Sequence, residues 1–363
     1  MQTRSEPQFG LGKSLAFSLI LIFSFLLFAE LAVRGWAYFL RADVEKYDPA
    51  TETFVLVPGR YESRGASVEI NSAGFVGREI EPAGPDLWRI AAVGDSCTFG
   101  AGNAKHTYPA MLDDLLQRRE KPELRYEVVN AGISGLNSEL ALRRLRTAVL
   151  PLEPDVITIY IGWNDLMKFD PLAQGEVARW SGFARFFDRL WLVKGLRKVI
   201  FFHVRPLLRP PATGPESRSG RFAWFHPTFY EKNLRAMVSA ARESGAHVLL
   251  ATLPTVVRED MTAADLKRAG VVFPYFRSAY GVGDLLDLIL AYNRTVRRVA
   301  AEEQIALADL AVLFEKLADP RPYFYDTMHT NAQGMALIAE ELERVLAAHA
   351  LLAPEPRAVS SED

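Results

Sequence analysis

The sequence predicts an α/β protein in which a parallel sheet is covered by helices on both faces and follows an N-terminal transmembrane helix. Two observations carry this expectation: strand and helix signals alternate from Trp88 onward, and an uncharged apolar run fills Ser14 to Ala29. Parallel neighbours need crossover connections, so the alternation implies a parallel sheet with helices packed against it.

The first element is the apolar run "SLAFSLILIFSFLLFA". It is slightly short of a bilayer crossing, but Leu31 to Val33 extend it to roughly 20 residues. Glu30 then falls near one interface, and Trp36 and Tyr38 stand where an aromatic belt is expected. Arg4 and Lys13 precede the run, which keeps the N-terminus in the cytoplasm and sends the rest of the chain across. A cleaved signal peptide is the competing reading, but no small-x-small cleavage pattern follows Ala29. Residues 1–41 are therefore expected to be a cytoplasmic N-terminus and an uncleaved single-pass anchor. The membrane is contacted through residues 14–40, and the remainder lies in the periplasm or outside the cell.

Residues 42–87 are rich in Gly, Pro and charge, with short β-like runs at Phe54–Val57 and Ser67–Ile70, and read as a lead-in that adds a hairpin to the domain. The main domain is expected over residues 88–350. Its predicted strands are Trp88–Val93, Tyr126–Asn130, Asp155–Ile161, His247–Thr252 and Ile305–Ala308, with helical spacing between them. Residues 166–227 exceed an ordinary connection and read as an insertion, lid or docking element. In its middle, over residues 183–209, Arg185, Arg189, Lys194, Arg197, Lys198, Arg205 and Arg209 face only Asp188 among many aromatic residues. Such a stretch suits an anionic membrane surface or an apolar substrate, and equally a helix on the core whose arginine stems reach water. Residues 351–363 read as a disordered tail. No repeat of 20 to 50 residues is visible.

A hydrophobic content of 49% over 363 residues supports a sizeable core, and a net charge of −2 gives no sign of a nucleic-acid partner. The single cysteine, Cys97, excludes an intrachain disulfide, and no metal-ligand spacing of Cys and His is present. A structural zinc site is not expected.

Four segments at predicted strand ends or a helix approach carry chemistry: "GDS" at Gly94–Ser96, "NAGISG" at Asn130–Gly135, "IGWND" at Ile161–Asp165 and "YDTMHTNAQG" at Tyr325–Gly334. The C-terminal ends of parallel strands are where ligands bind in α/β sheets. Ester cleavage by serine needs a base for the hydroxyl proton, an acid to orient the base, and donors for the oxyanion. Asp326 and His329 lie three apart and share a face on a helical turn. An N-cap role for Asp326, a packed His329 and an ordinary turn at each Gly or Asn are the bland readings of the same residues. For the oxyanion, Gly135 offers a closely approachable N–H and Asn164 an amide, whereas Gly132 serves the turn. Asp165 reads as a loop brace and Asp95 as a brace of the nucleophile turn. Cys97 is a rival nucleophile expected to pack inward, and His106 and His226 are rival bases with no carboxylate three residues away.

Taken together these blocks resemble the SGNH (GDSL) hydrolase family, whose four blocks occur here in order as "GDS", "NAGISG", "GWND" and "DTMH" over roughly Trp88 to Ala348. The motif departs from literal GDSL in carrying Cys97 where leucine is common. The resemblance implies a flavodoxin-like three-layer α/β/α sandwich with about five parallel strands. It also implies acyl-enzyme chemistry with Ser96 as nucleophile, His329 as base and Asp326 as its orienting acid. The Ser96 and Gly135 N–H groups and the Asn164 side chain would form the oxyanion hole, and no cofactor is required. The expected activity is a membrane-anchored extracytoplasmic esterase acting on an acyl ester of a glycan or lipid. Transfer of the acyl group to a polysaccharide, and a non-catalytic scaffold or glycan-binding module, are the alternatives.

Overall fold

The structure is a computed structural model that describes residues 11–39, 44–63, 66–100, 106–119, 124–167, 169–170, 175–176, 190, 192–193, 196, 220, 222–262, 264–265 and 282–353. The side chains of Trp36 and Tyr38, most of the 166–227 insertion and the tail beyond residue 353 lie outside the described residues. The chain divides into two compact units, one of residues 1–43 and 179–208, the other of residues 44–178 and 209–363.

In the first unit, α1 runs from Leu11 to Phe39. It contains a 24-residue stretch, Gly12–Gly35, long and apolar enough to cross a membrane. Its large side chains are exposed, Phe23 and Phe28 among them. Among the described side chains of this helix, burial is confined to residues 29–33, where Glu30 is buried and Ala29 and Val33 are half-buried.

The second unit is built on five parallel strands: β5 (Leu87–Gly94), β6 (Arg125–Asn130), β7 (Val156–Tyr160), β10 (His247–Ala251) and β11 (Ala306–Ala308), in spatial order β11-β10-β7-β5-β6. Every residue of β5 and β7 is buried, as strands covered on both faces must be. All five predicted strands are present with ends shifted by at most one residue. Helices α3 (Tyr108–Gln117) and α9 (Ala332–Ala348) pack together. The other helical layer holds α4 (Ser138–Arg144), α6 (Thr228–Glu243) and α7 (Val282–Glu302). The chain moves from β5 outward to β6, then returns past β5 to β7, so the strand order reverses at the β5/β7 boundary. That reversal opens a crevice at the strand C-termini.

Inside this sheet Arg89 and Glu127 stand opposite each other on β5 and β6, paired at 2.6 Å with almost no exposure. Buried charges of this kind persist only when fully hydrogen-bonded. The Arg89 guanidinium also donates to the carbonyls of Leu152 and Glu81, and Glu127 accepts the Glu81 N–H.

The lead-in differs from the single hairpin expected. The predicted run at 54–57 pairs with a strand before it, β1 (Glu45–Asp48) with β2 (Thr53–Leu56). The run at 67–70 pairs β4 (Ala66–Ile70) with β3 (Gly59–Ser63), also antiparallel. The partner segments "EKYD" and "GRYES" are too short and polar to announce themselves as strands. Val76 then bridges to both Ile70 and Asn130, joining the lead-in to the sheet. Two-residue strands β8 (Phe169–Asp170) and β9 (Gly175–Glu176) form a further antiparallel pair. At the other end, residues 351 and 352 belong to the packed domain and not to a tail: the Trp88 indole N–H donates to the Leu351 carbonyl at 3.0 Å and the Tyr126 hydroxyl to that of Leu352 at 2.6 Å.

Candidate active site

Strand β5 ends at Gly94 and the chain turns at once into a short helix, α2 (Ser96–Phe99). A Cβ at position 94 would lie 1.9 Å from Thr98 Oγ1 and 2.5 Å from the Tyr160 carbonyl oxygen, so only glycine permits this turn. Asp95 is fully buried and caps α2, accepting the Cys97 N–H at 2.9 Å. Burial raises the Asp95 carboxyl to about 6, against the opposing pull of that N–H, of His329 and of the Asn164 amide. Ser96 is half-exposed at the first helical position.

Ser96 Oγ lies 2.8 Å from His329 Nε2, and His329 Nδ1 lies 2.7 Å from Asp326 Oδ2. The sequence suggested a helical turn for Asp326 and His329, but the segment is a tight loop closed by a bridge between Phe324 and Thr330. Within it the second Asp326 oxygen accepts the N–H groups of Met328 and His329 at 2.9 and 2.8 Å, a turn that Asp favours. Asn331, not Asp326, caps α9, accepting the Gln333 and Gly334 N–H groups. Burial pushes the Asp326 carboxyl upward, but hydrogen bonds from the His329 ring and from the His329 and Met328 amides outweigh it and hold the group below its ordinary value.

The loop after β6 carries Gly135 at φ +77° in open space. Among the described residues neither the Gly135 N–H nor the Ser96 N–H has a hydrogen-bond partner. Asn164, on α5 (Trp163–Leu166) after β7, donates to the Leu136 carbonyl at 2.9 Å and approaches Asp95 Oδ2 at 3.4 Å. Asp165 accepts both the Ser138 N–H at 2.8 Å and the Ser138 hydroxyl at 2.6 Å, tying this segment to the start of α4.

Three supports escape a sequence reading or were read as minor. Asn130 donates to the Thr98 carbonyl and accepts the Gly132 N–H, pinning the Gly135 loop to the serine turn. Gly132 is more than a turn residue, because a Cβ there would lie 2.4 Å from the Phe99 nitrogen. Arg144 is buried, donates to the carbonyls of Ala131 and Gly74 at 2.9 and 3.0 Å, and lies 4.9 Å over the Phe75 ring. Burial pushes its guanidinium down to about 10. Asn130 opens the segment "NAGISG" and is legible there, whereas nothing in "ALRRLR" separates Arg144 from its more exposed neighbours.

The rivals fall elsewhere. Cys97 is buried, its thiol lies 3.6 Å from the Met328 carbonyl, and burial raises it well above its ordinary value, which removes the thiolate. His226 pairs with Glu231 at 2.6 Å on the surface, and His106 is exposed. Among the described residues no group of three or more His, Cys, Asp or Glu is placed to hold a metal ion.

The model of the GDSL-like lipase/acylhydrolase family matches residues 92–337. No curated protein matches the chain. Similar solved structures include a GDSL-like lipase from Bacteroides thetaiotaomicron (16% identity, 72% of this chain and 88% of that one, TM-score 0.42). An acetylxylan esterase from Geobacillus stearothermophilus aligns at 19% identity over 71% of this chain and 94% of that one, TM-score 0.44. A lipase/acylhydrolase from Enterococcus faecalis aligns at 17% identity over 74% and 99%, TM-score 0.44.

Proposed function

Since the chain belongs to the GDSL-like lipase/acylhydrolase family and is thereby an ester hydrolase, we propose that Ser96, His329 and Asp326 carry the reaction and that α1 holds the enzyme at the outer side of a cytoplasmic membrane. The observation behind the first part is the continuous chain of short contacts, Ser96 Oγ to His329 Nε2 at 2.8 Å and His329 Nδ1 to Asp326 at 2.7 Å.

Asp326 accepts from Nδ1–H, which leaves Nε2 with its lone pair toward the serine. As Ser96 Oγ attacks the ester carbonyl, Nε2 takes the hydroxyl proton, and the imidazolium then protonates the departing alkoxide. Water attacks the acyl-serine by the reverse proton route and releases the acid. The developing oxyanion takes the N–H groups of Ser96 and Gly135 together with the Asn164 N–H that otherwise approaches Asp95 Oδ2 at 3.4 Å. Removing one such donor typically costs about 10²–10³ in rate. Asp95 holds the serine turn and Asp165 the Gly135 loop. The substrate read from the family is an acyl ester, and the anchor favours one borne on a glycan or lipid outside the cell.

The anchor reading rests on the exposed apolar span of α1 near the N-terminus. Intact-protein mass spectrometry after fluorophosphonate treatment tests the nucleophile: one adduct on the native chain and none on Ser96→Ala is the expected result. Full esterase activity in Ser96→Ala would overturn the assignment.

A further inference from the structure

Glu30 stands out on α1 because a carboxylate inside an apolar membrane span is costly unless it is fully partnered. In this helix it is also the residue most shielded from solvent, with 8% exposure while the long apolar side chains around it stand open. One carboxylate oxygen receives Arg34 Nε at 2.7 Å from the next turn, and the other receives the backbone N–H of Leu192 at 2.8 Å. Arg34 keeps half of its side chain exposed, as a residue reaching for the membrane surface does.

The contact fixes a depth. Glu30 lies five residues before Gly35, the end of the apolar span, which is about 8 Å along a helix at 1.5 Å per residue. Leu192 meets it there. A backbone N–H at that depth has no water to bind and needs a partner within the protein, which the Glu30 carboxylate supplies. The residues around the contact suit the same medium: Leu190, Leu192, Val193 and Leu196 are apolar, and Leu196 is exposed. In sequence, this stretch carries Lys194 and is flanked by Arg185, Arg189, Arg197, Lys198 and Arg205, the charges that anionic headgroups attract.

We infer that Leu190, Leu192, Val193 and Leu196 belong to a second membrane element, seated in the lipid leaflet where the anchor ends and fastened there by Glu30. The inference rests on reading α1 as a membrane span. Its occupant is lipid: the exposed Leu196 faces acyl chains. The segment lies between Asn164 and α6 in the chain.

Site-directed spin labelling of the full chain in nanodiscs containing anionic lipid tests this. A nitroxide at Leu196→Cys is expected to collide several-fold more often with oxygen than with a water-soluble nickel chelate, and a second substitution, Glu30→Leu, is expected to move the label into nickel-accessible water. A control label at Phe23→Cys reports the anchor alone. If that control is nickel-accessible, the span reading fails and the inference with it. If the control is lipid-exposed while the Leu196 label meets nickel freely, the second element is overturned. A Leu196 label shielded from both reagents would mean protein cover by a second copy and would overturn it equally, and an unchanged depth in the Glu30→Leu variant would overturn the fastening role.

Discussion

Replacing Asp326 by Asn separates charge from shape at the candidate site. The amide keeps the turn but presents its NH₂ toward His329 Nδ1 in at least one rotamer, which favours the tautomer with Nε2 protonated and unable to accept from Ser96. A loss of about 10³–10⁴ in kcat is expected with little change in unfolding midpoint, measured on a soluble ester and by denaturation in detergent. Asp95 gives the pH dependence. Its carboxyl ionises near 3.8 in the unfolded chain and near 6 when folded. Between these values the folded state holds the extra proton, so this group's contribution to stability falls as pH rises through the window and is constant above it. The drop is about 3 kcal/mol at 1.36 kcal/mol per unit, and comparison with Asp95→Asn from pH 4 to 7 should show a decline in the native protein that the variant lacks. The candidate residues Ser96, Asp326, His329 and Asn164 were legible because the proposed chemistry would need those residue types, with Ser96 and Asn164 just after strand ends. Arg144 was not, since a buried guanidinium bound to the carbonyls of Ala131 and Gly74 leaves no periodic trace.

At the scale of elements, the crevice depends on two loops touching backbone to backbone, the serine turn after β5 and the Gly135 loop after β6. Gly132 is the point of contact: an added methyl would meet the Phe99 nitrogen at 2.4 Å and the Thr98 carbonyl carbon at 2.8 Å, and backbone at that distance has no flexible end to swing away. Gly132→Ala is therefore expected to push the loops apart, lowering kcat at least as strongly as loss of one oxyanion donor, about 10²-fold. Retention of full activity on the same soluble ester would show that the loops are not held by this contact. The five central strands were legible because buried parallel strands read as continuous apolar runs, as in "LWRIAAVG" and "VITIY". The partners of the lead-in strands were not, because β1 and β3 are short and polar. The Asp326 loop misled in the same way: a spacing of three residues suits a helix, yet backbone pairing across Phe324 and Thr330 decides its shape.

For the whole molecule, the partition of the chain carries the functional argument. Every residue assigned to the candidate site lies within residues 44–178 and 209–363, while the apolar helix belongs with residues 179–208. The helix itself was plain from its composition. Its association with the insertion was not, because a hydrogen bond between positions 162 residues apart leaves no pattern in the sequence. On the proposed reading chemistry and location are divided between the two units, and removing residues 1–43 should alter the second without the first. The truncated enzyme is expected to keep kcat on a soluble ester. It should lose permanent membrane attachment yet keep reversible binding through the cationic stretch at 183–209, where seven Lys and Arg oppose one Asp. Each such charge contributes about 1 kcal/mol at an anionic surface, and salt screens it within about 10 Å at 0.1 M. Sedimentation with anionic vesicles at low salt and release at high salt is therefore the expected behaviour, against salt-resistant sedimentation of the full chain. Failure to bind anionic vesicles even at low salt would remove the insertion from the membrane and leave α1 as the sole attachment. A fall in kcat on truncation would instead mean that the first unit shapes the site.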